Sequence, residues 1–310
     1  MPQPESQLNT PCTKVSILQG LSNGVLAGPY ERELKLNNGI TACISQCICR
    51  RIEITSTVPI PCLEIFNIFQ DIETLLMLFD GRFYPIEELI FDNGSEDNTV
   101  KFSQISEELL GKRLHYFESR DFCQFRFLKL LQFQDVLTEE LLEKWIALRT
   151  QLDIAFSLFL YTLSDNKMPV VTNFAFLAEL AEPFVELLKE NRGLYQELSP
   201  GEKGTSLKKC ISAIIGDFGK NIFSREISDN YEGFKSKAIH SRNRVMHIKK
   251  KQTDYFSKKD CIRYSIKFSL LYRRILLDLL DIPYEDYKAN IECAVKKIDE
   301  YFDSLPQTKE

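Results

Sequence analysis

Residues 240–251 read HSRNRVMHIKKK. Two of the chain's three histidines, His240 and His247, fall in this stretch. Arg242, Asn243 and Arg244 lie between them, and Lys249, Lys250 and Lys251 follow. A histidine exchanges a proton near neutral pH, and an arginine can grip a phosphate through two parallel hydrogen bonds. These groups suit cleavage of an RNA phosphodiester. A base removes the 2′-OH proton, a cation stabilises the negative phosphorane, and an acid protonates the departing 5′-oxygen. The neighbouring 2′-OH is the nucleophile, so this chemistry has no strict need of a metal ion or other cofactor.

A helix from about Asp229 through His247 would position these residues. At about 100° per residue, Tyr231, Phe234, Ala238 and Val245 share one stripe, and Arg242 falls close to it. An arginine on a core-facing or partner-facing stripe must be paired or face a cleft, because it does not shed its charge. Asn243 and His247, spaced i, i+4, share an adjacent face. His240 and Arg244 point further round.

The charge distribution singles out the same region. The chain of 310 residues is acidic, with 39 Lys/Arg against 44 Asp/Glu. Yet Lys235 to Arg274 holds thirteen Lys/Arg and two acids, Asp254 and Asp260. A local excess of that size is the footprint of a phosphate-binding surface. Lys235, Lys237, Arg244, Lys249, Lys250 and Lys251 are the candidates to track an RNA backbone. The competing reading is a solvated helix face.

Composition bounds the rest. Hydrophobic residues make up 44% and charged residues 27%, as in soluble globular domains. The opening MPQPESQLNTPCTK lacks the pattern of a signal peptide, and IAFSLFLYTL (154–163) is too short to span a bilayer. The expectation is a soluble cytoplasmic protein without membrane contact. Of the nine cysteines three form the only cluster, CISQCIC (Cys43, Cys47, Cys49), in a strand-like stretch with no histidine nearby. Reduced structural thiols are expected there, and no metal site.

The fold class predicted is α+β. An N-terminal domain of mixed β-sheet and helix (1–130) precedes an all-α helical bundle (131–310). ERELKL (31–36), the turn NNG and ITACISQCICRRIEI (40–54) read as a hairpin feeding a sheet. Residues 61–81 switch to helical spacing and stop at Gly81. Residues 91–99 read as a loop. The long apolar helix 138–165 begins at Thr138 and is expected to be buried on more than one side. Helix 172–193 should start at Thr172, kink at Pro183 and end at Gly193. A short helix (206–219) and the helix carrying Arg242 come next. Ser257 and Asp260 make a capping-box start for the last long helix, which Pro283 terminates.

RNRVMH (242–247) resembles the R-x4-6-H signature of HEPN domains, with Asn in the favoured place after Arg. The signature there sits near the end of one bundle helix and precedes a long amphipathic helix, here 260–281. Trp145 in a long apolar helix and FLAELAEPFVELL (176–188) in the next look most like the HEPN domain of ApeA-type anti-phage proteins, and the N-terminal region looks like a short version of theirs. The resemblance covers about residues 135–285. It implies a metal-independent endoribonuclease, a toxin or abortive-infection effector. It also implies a homodimer through the C-terminal domain, products with 2′,3′-cyclic phosphate and 5′-OH ends, and single-stranded or tRNA-like RNA as partner. Arg242, Asn243 and His247 would be the catalytic set. An acid on the helix corresponding to 172–193 lies near the pair in that family, with Glu182 the first match and Glu179 the second. HEPN toxins silenced by AMPylation carry a tyrosine where this chain has Lys249, so that control is not expected. The alternative is a catalytically silent HEPN module that binds RNA or protein.

Overall fold

The computed structural model describes residues 8–20, 30–46, 49–93, 102–109, 129–163, 168–199, 206–247 and 254–306. The chain is α+β. It divides into two compact units, residues 1–124 with 131–147, and residues 125–130 with 148–310. Residues 131–147 therefore pack beyond the expected boundary near 130, with the first unit.

The first unit is built on a five-stranded antiparallel sheet of order β2-β3-β4-β1-β5. The strands are β1 (Pro11–Gly20), β2 (Tyr30–Leu36), β3 (Ile40–Gln46), β4 (Cys49–Pro61) and β5 (Ile86–Asp92). The NNG turn joins β2 to β3, with Asn38 at φ 62° and Gly39 at φ 73°. Alternation sets the faces: Ile40, Ala42 and Ile44 of β3 and Ile52 and Ile54 of β4 are buried. Cys43 points the other way, its Sγ 3.4 Å from Glu31 Oε1. Cys47 lies outside the described residues. Among the described residues no group of His, Cys, Asp or Glu has the makings of a metal site. Helix α1 (Cys62–Asp80) packs on β4 and β1 and stops at Gly81, φ 75°. Arg50 is buried within this unit, bonded to Asp80 (2.7 Å) and Gln46 and lying over the rings of Tyr84 and Phe133.

A short helix α2 (Phe133–Val136) leads to the long helix α3 (Glu139–Leu163), whose start is capped by the Thr138 hydroxyl. Its first half belongs to the sheet unit. Leu137 O accepts from Arg32 Nε (2.8 Å), Glu139 accepts the Lys35 amide (2.8 Å), and buried Trp145 donates to Thr74. The helix is broken at Asp153 (φ 44°, ψ −117°). Its burial corrects the expectation of more than one buried side. Leu141, Leu142, Trp145, Leu148, Leu152, Phe156 and Phe159 form a single stripe, while Ile154 is 77% exposed. By length and composition α3 could cross a membrane, and 33% of its most apolar window is buried within the fold.

The second unit is helical: α4 (Val170–Glu179), α5 (Ala181–Arg192), α6 (Leu207–Ile214), α7 (Ser224–Met246), α8 (Lys258–Leu279) and α9 (Lys288–Ser304). Helix α8 is its most buried member. Ser257 caps it, its hydroxyl accepting from the Asp260 amide as the capping box predicts, while the Asp260 carboxylate accepts from that hydroxyl rather than from the Ser257 amide. It ends at Leu279, with Asp281 at φ 59° before Pro283. Aromatic rings fill the space around it: Tyr272 lies 4.4 Å from Phe184 and donates to Leu177 O, and Phe268 meets Phe174 and Phe223. Lys267, fully buried, pairs with Glu226 of α7 and Asp299 of α9. Buried charge is tolerable only where every partner is present, and here the two flanking helices, α7 and α9, supply them.

Three sequence expectations shift. Helix α4 begins at Val170 behind Pro169, so Thr172 lies within it. Helix α6 passes into a π turn, Ile215–Gly219. Helix α7 starts at Ser224, five residues before expected, and is interrupted at Asn230 (φ −162°, ψ 80°).

Candidate active site

The site forms where the end of α7 packs against the end of α4. Pro183 decides where α4 stops. A proline ring clashes with the carbonyl four residues earlier, which is that of Glu179, and Pro183 offers no amide to it. The helix therefore breaks at Leu180, rather than kinking at Pro183. Pro183 occupies the first turn of α5, where a missing N–H is harmless. Gly193, at φ 66°, ends α5 as its position predicts. Glu179 is left as the last residue of α4.

Arg242 meets it there. Arg242 Nε lies 2.5 Å from Glu179 Oε2 and Nη2 lies 2.7 Å from Oε1, a two-point fork. The pair is partly sheltered, with side chains 18% and 33% exposed. Arg242 Nη1 donates to Asn243 Oδ1 (2.8 Å) and lies 3.1 Å from His247 Nε2. An arginine only donates, so Nε2 accepts in this geometry and the imidazole proton resides on Nδ1. These four contacts leave one N–H of Nη2 uncommitted among the described residues. Asn243 acts twice, since its carbonyl also accepts the His247 amide (3.0 Å) and closes the helix end. Arg242, Asn243 and His247 thus converge as their spacing predicts.

The acid is a correction. Glu179, the second match, holds Arg242, whereas Glu182 makes no hydrogen bond to it among the described residues and acts through its charge. Burial, and then the neighbouring Glu179 carboxylate, push the Glu182 carboxyl up, against a smaller opposing pull from Arg242. The Glu179 fork in turn holds Arg242 more firmly protonated than a free guanidinium.

Two contacts that the sequence did not suggest fix the α7 end. Ser241, 1% exposed, accepts the Phe256 amide (2.8 Å), and His240 Nδ1 donates to Asp254 O (2.9 Å). Both tether the chain where it returns toward α8. Phe234 and Ala238 are buried as the stripe predicts, while Tyr231 and Val245 are only half-buried. The break at Asn230 resets the helix phase between Tyr231 and the residues before it.

No protein-family model, curated protein or solved structure matches this chain.

The cations expected to track RNA fare unequally. Lys235 is a correction. It is 7% exposed, paired with Glu232 (2.5 Å), and lies over the Tyr231 ring, so it has no reach to a strand. Lys237 is exposed, with Asp254 at 3.7 Å. Arg244 is exposed and stacks on Tyr255 (3.8 Å). Lys249, Lys250 and Lys251 lie outside the described residues.

Proposed function

We propose that this protein is an endoribonuclease of HEPN type, cleaving RNA by attack of the 2′-OH on the adjacent phosphate. The observation that carries this reading is the 3.1 Å approach of Arg242 Nη1 to His247 Nε2, with Arg242 forked onto Glu179. A phosphate oxygen would take the uncommitted Nη2 N–H and draw Nη1 away from the imidazole. That exchange frees the Nε2 lone pair to accept the 2′-OH proton. The O2′–P bond forms, the O5′–P bond breaks, and O5′ gains a proton. Arg242 carries the charge that builds on the phosphorane, the largest single term in such reactions. Glu179 is a positioning residue: its two-point hold leaves the guanidinium one orientation. One imidazole does not serve as base and acid in the same step, which favours a two-fold homodimer that brings a second His247 near the site. Cytoplasmic RNA degradation as a toxin or abortive-infection defence is the role this chemistry suits.

The test is the strand's own nucleophile. Purified protein is incubated with an end-labelled RNA, and the product ends are read by mass spectrometry. A 2′,3′-cyclic phosphate is expected, and a single 2′-deoxy substitution at the cleaved position should stop cleavage there. Cutting of the deoxy-substituted position at an unchanged rate would remove the proposal.

A further inference from the structure

The interrupted helix α7 opens a cleft of about 280 Å³ between its first half and the start of α8. That volume lies near the lower end of small-molecule sites, roughly 300 Å³ and up, and suits one compact ligand. By helical phase Gly233 and Lys237 lie more than a quarter-turn from Arg242, so this cleft is a separate place from the cleavage site. Its construction is specific. Asn230 leaves helical geometry, and its side chain caps the resumed helix, Oδ1 accepting the Gly233 amide at 2.9 Å. Gly233 leaves room for this: a Cβ there would come within 2.4 Å of the Asn230 amide nitrogen. One wall is aromatic. Tyr264 lies 5.0 Å from Phe234 and 4.5 Å from Phe256, ring to ring. Beside that wall the lining includes two charged side chains that are almost fully buried, Glu226 (6% exposed) and Arg263 (8% exposed).

The two charges retain hydrogen-bonding capacity. Both oxygens of Glu226 accept from Lys267 Nζ (2.8 and 3.0 Å), yet a carboxylate has about four acceptor sites. Arg263 gives Nε and one N–H of Nη2 to Asp299, and one of Nη1 to Asp303. Of its five N–H groups, two are left among the described residues. An anchored acceptor beside an anchored donor, next to an aromatic wall, suits a flat heterocycle whose edge carries N–H donors next to a carbonyl.

We propose that this cleft binds guanine. The carbonyl would face Arg263, the ring and exocyclic N–H groups would face Glu226, and the ring would lie against the aromatic wall. Adenine, with an amino group where guanine has its carbonyl, would set a donor against Arg263. Base stacking on aromatic side chains and edge hydrogen bonds are the general means of reading a single base. Lys237 on the rim is the cation free enough for an attached phosphate, since its ion-pair partner, Asp254, is 3.7 Å away. Arg225, also on the rim, is already held by Asp303 and Asp229. The guanine could belong to a nucleotide in an RNA strand or to a free nucleotide. The cleft goes beyond the cleavage reading and does not depend on it.

Calorimetry of the full chain with GMP and with AMP tests the proposal without any cleavage. GMP should bind at least about tenfold tighter than AMP, the discrimination expected of one good two-point base contact. Lys237→Gln should weaken GMP several-fold while leaving guanosine binding unchanged. Glu226→Gln should abolish the preference for GMP over AMP, with circular dichroism used to verify its fold. If Glu226→Gln unfolds, Tyr264→Leu replaces it and should weaken both nucleosides. Displacement of GMP from His247→Ala protein by an oligoribonucleotide with an internal guanine, and not by its adenine counterpart, assigns the cleft to a strand. GMP binding that neither oligonucleotide displaces assigns it to a free nucleotide. Absence of GMP binding at millimolar concentration, or equal affinity for GMP and AMP, overturns the proposal. Neither result bears on whether His247 cleaves RNA.

Discussion

Arg242 makes four contacts with three partners, Glu179, Asn243 and His247, from one guanidinium. His247→Ala takes away the proton acceptor and Arg242→Ala the charge that meets the phosphorane. Each should reduce RNA cleavage by on the order of a hundredfold or more. Glu179→Ala leaves the chemistry in place and frees the guanidinium to wander. Cleavage should fall about tenfold or more, since small displacements of a positioned group are costly, and Glu179→Gln should recover part of it. Glu182 behaves otherwise. Its carboxyl is pushed up by burial and by Glu179, so over a window above the ordinary carboxyl range of about 4.3 the folded state holds a proton that the unfolded chain has lost. Stability therefore falls as pH rises through that window and stays lower at neutral pH. Glu182→Gln should raise the melting temperature at pH 7 and leave it unchanged below about pH 4. A melting curve that rises equally at both pH values would contradict this. Arg242, Asn243 and His247 were legible in the sequence because spacing alone puts them at one helix end. Which acid joins them was not, because Glu179 and Glu182 are both placed by a helix break. The signal lay in Pro183, four residues after Glu179.

At the scale of elements, stops and most caps were legible, Thr172 excepted, and breaks were not. Thr138, Gly81, Gly193 and the Ser257/Asp260 box stand where their side-chain chemistry puts them. Asn230 and Asp153 were not singled out, because a lone short polar residue favours a cap or turn but does not by itself interrupt a helical pattern. β1 and β5 escaped notice in the sequence as well. The bulge between Cys12 and Lys14 shifts the alternation of β1 that would have marked it as a strand. The buried network that joins α7, α8 and α9 was equally hidden, since Lys267, Glu226 and Asp299 are far apart in sequence. Lys267→Met should destabilise the helical unit by about 3–5 kcal/mol, because it strands the buried Glu226 without its cation, while Asp299 keeps Arg263. Urea unfolding checks this, and a loss below about 1 kcal/mol would mean that the network is dispensable.

For the whole molecule, the division into a sheet unit and a helical unit followed from the change in hydrophobic period. The exact assignment of 131–147 to the sheet unit did not, because it rests on long-range contacts such as Trp145 with Thr74. The proposed dimer has its own readout: light scattering at micromolar concentration should give twice the mass of the 36.0 kDa chain, and the isolated monomer should be inactive. Replacing Lys249, Lys250 and Lys251 by Gln should flatten the salt dependence of RNA binding by about two units, with about 0.7 lost per phosphate contact. An unchanged slope would make that run a solvated surface. The central claim is that the Arg242–His247 pair cleaves RNA. It is tested most directly by incubating labelled RNA with wild-type protein and with folded His247→Ala protein, both in EDTA. The account predicts cleavage by the wild type and none by the variant. Cleavage by both at the same rate, or by neither, would contradict it.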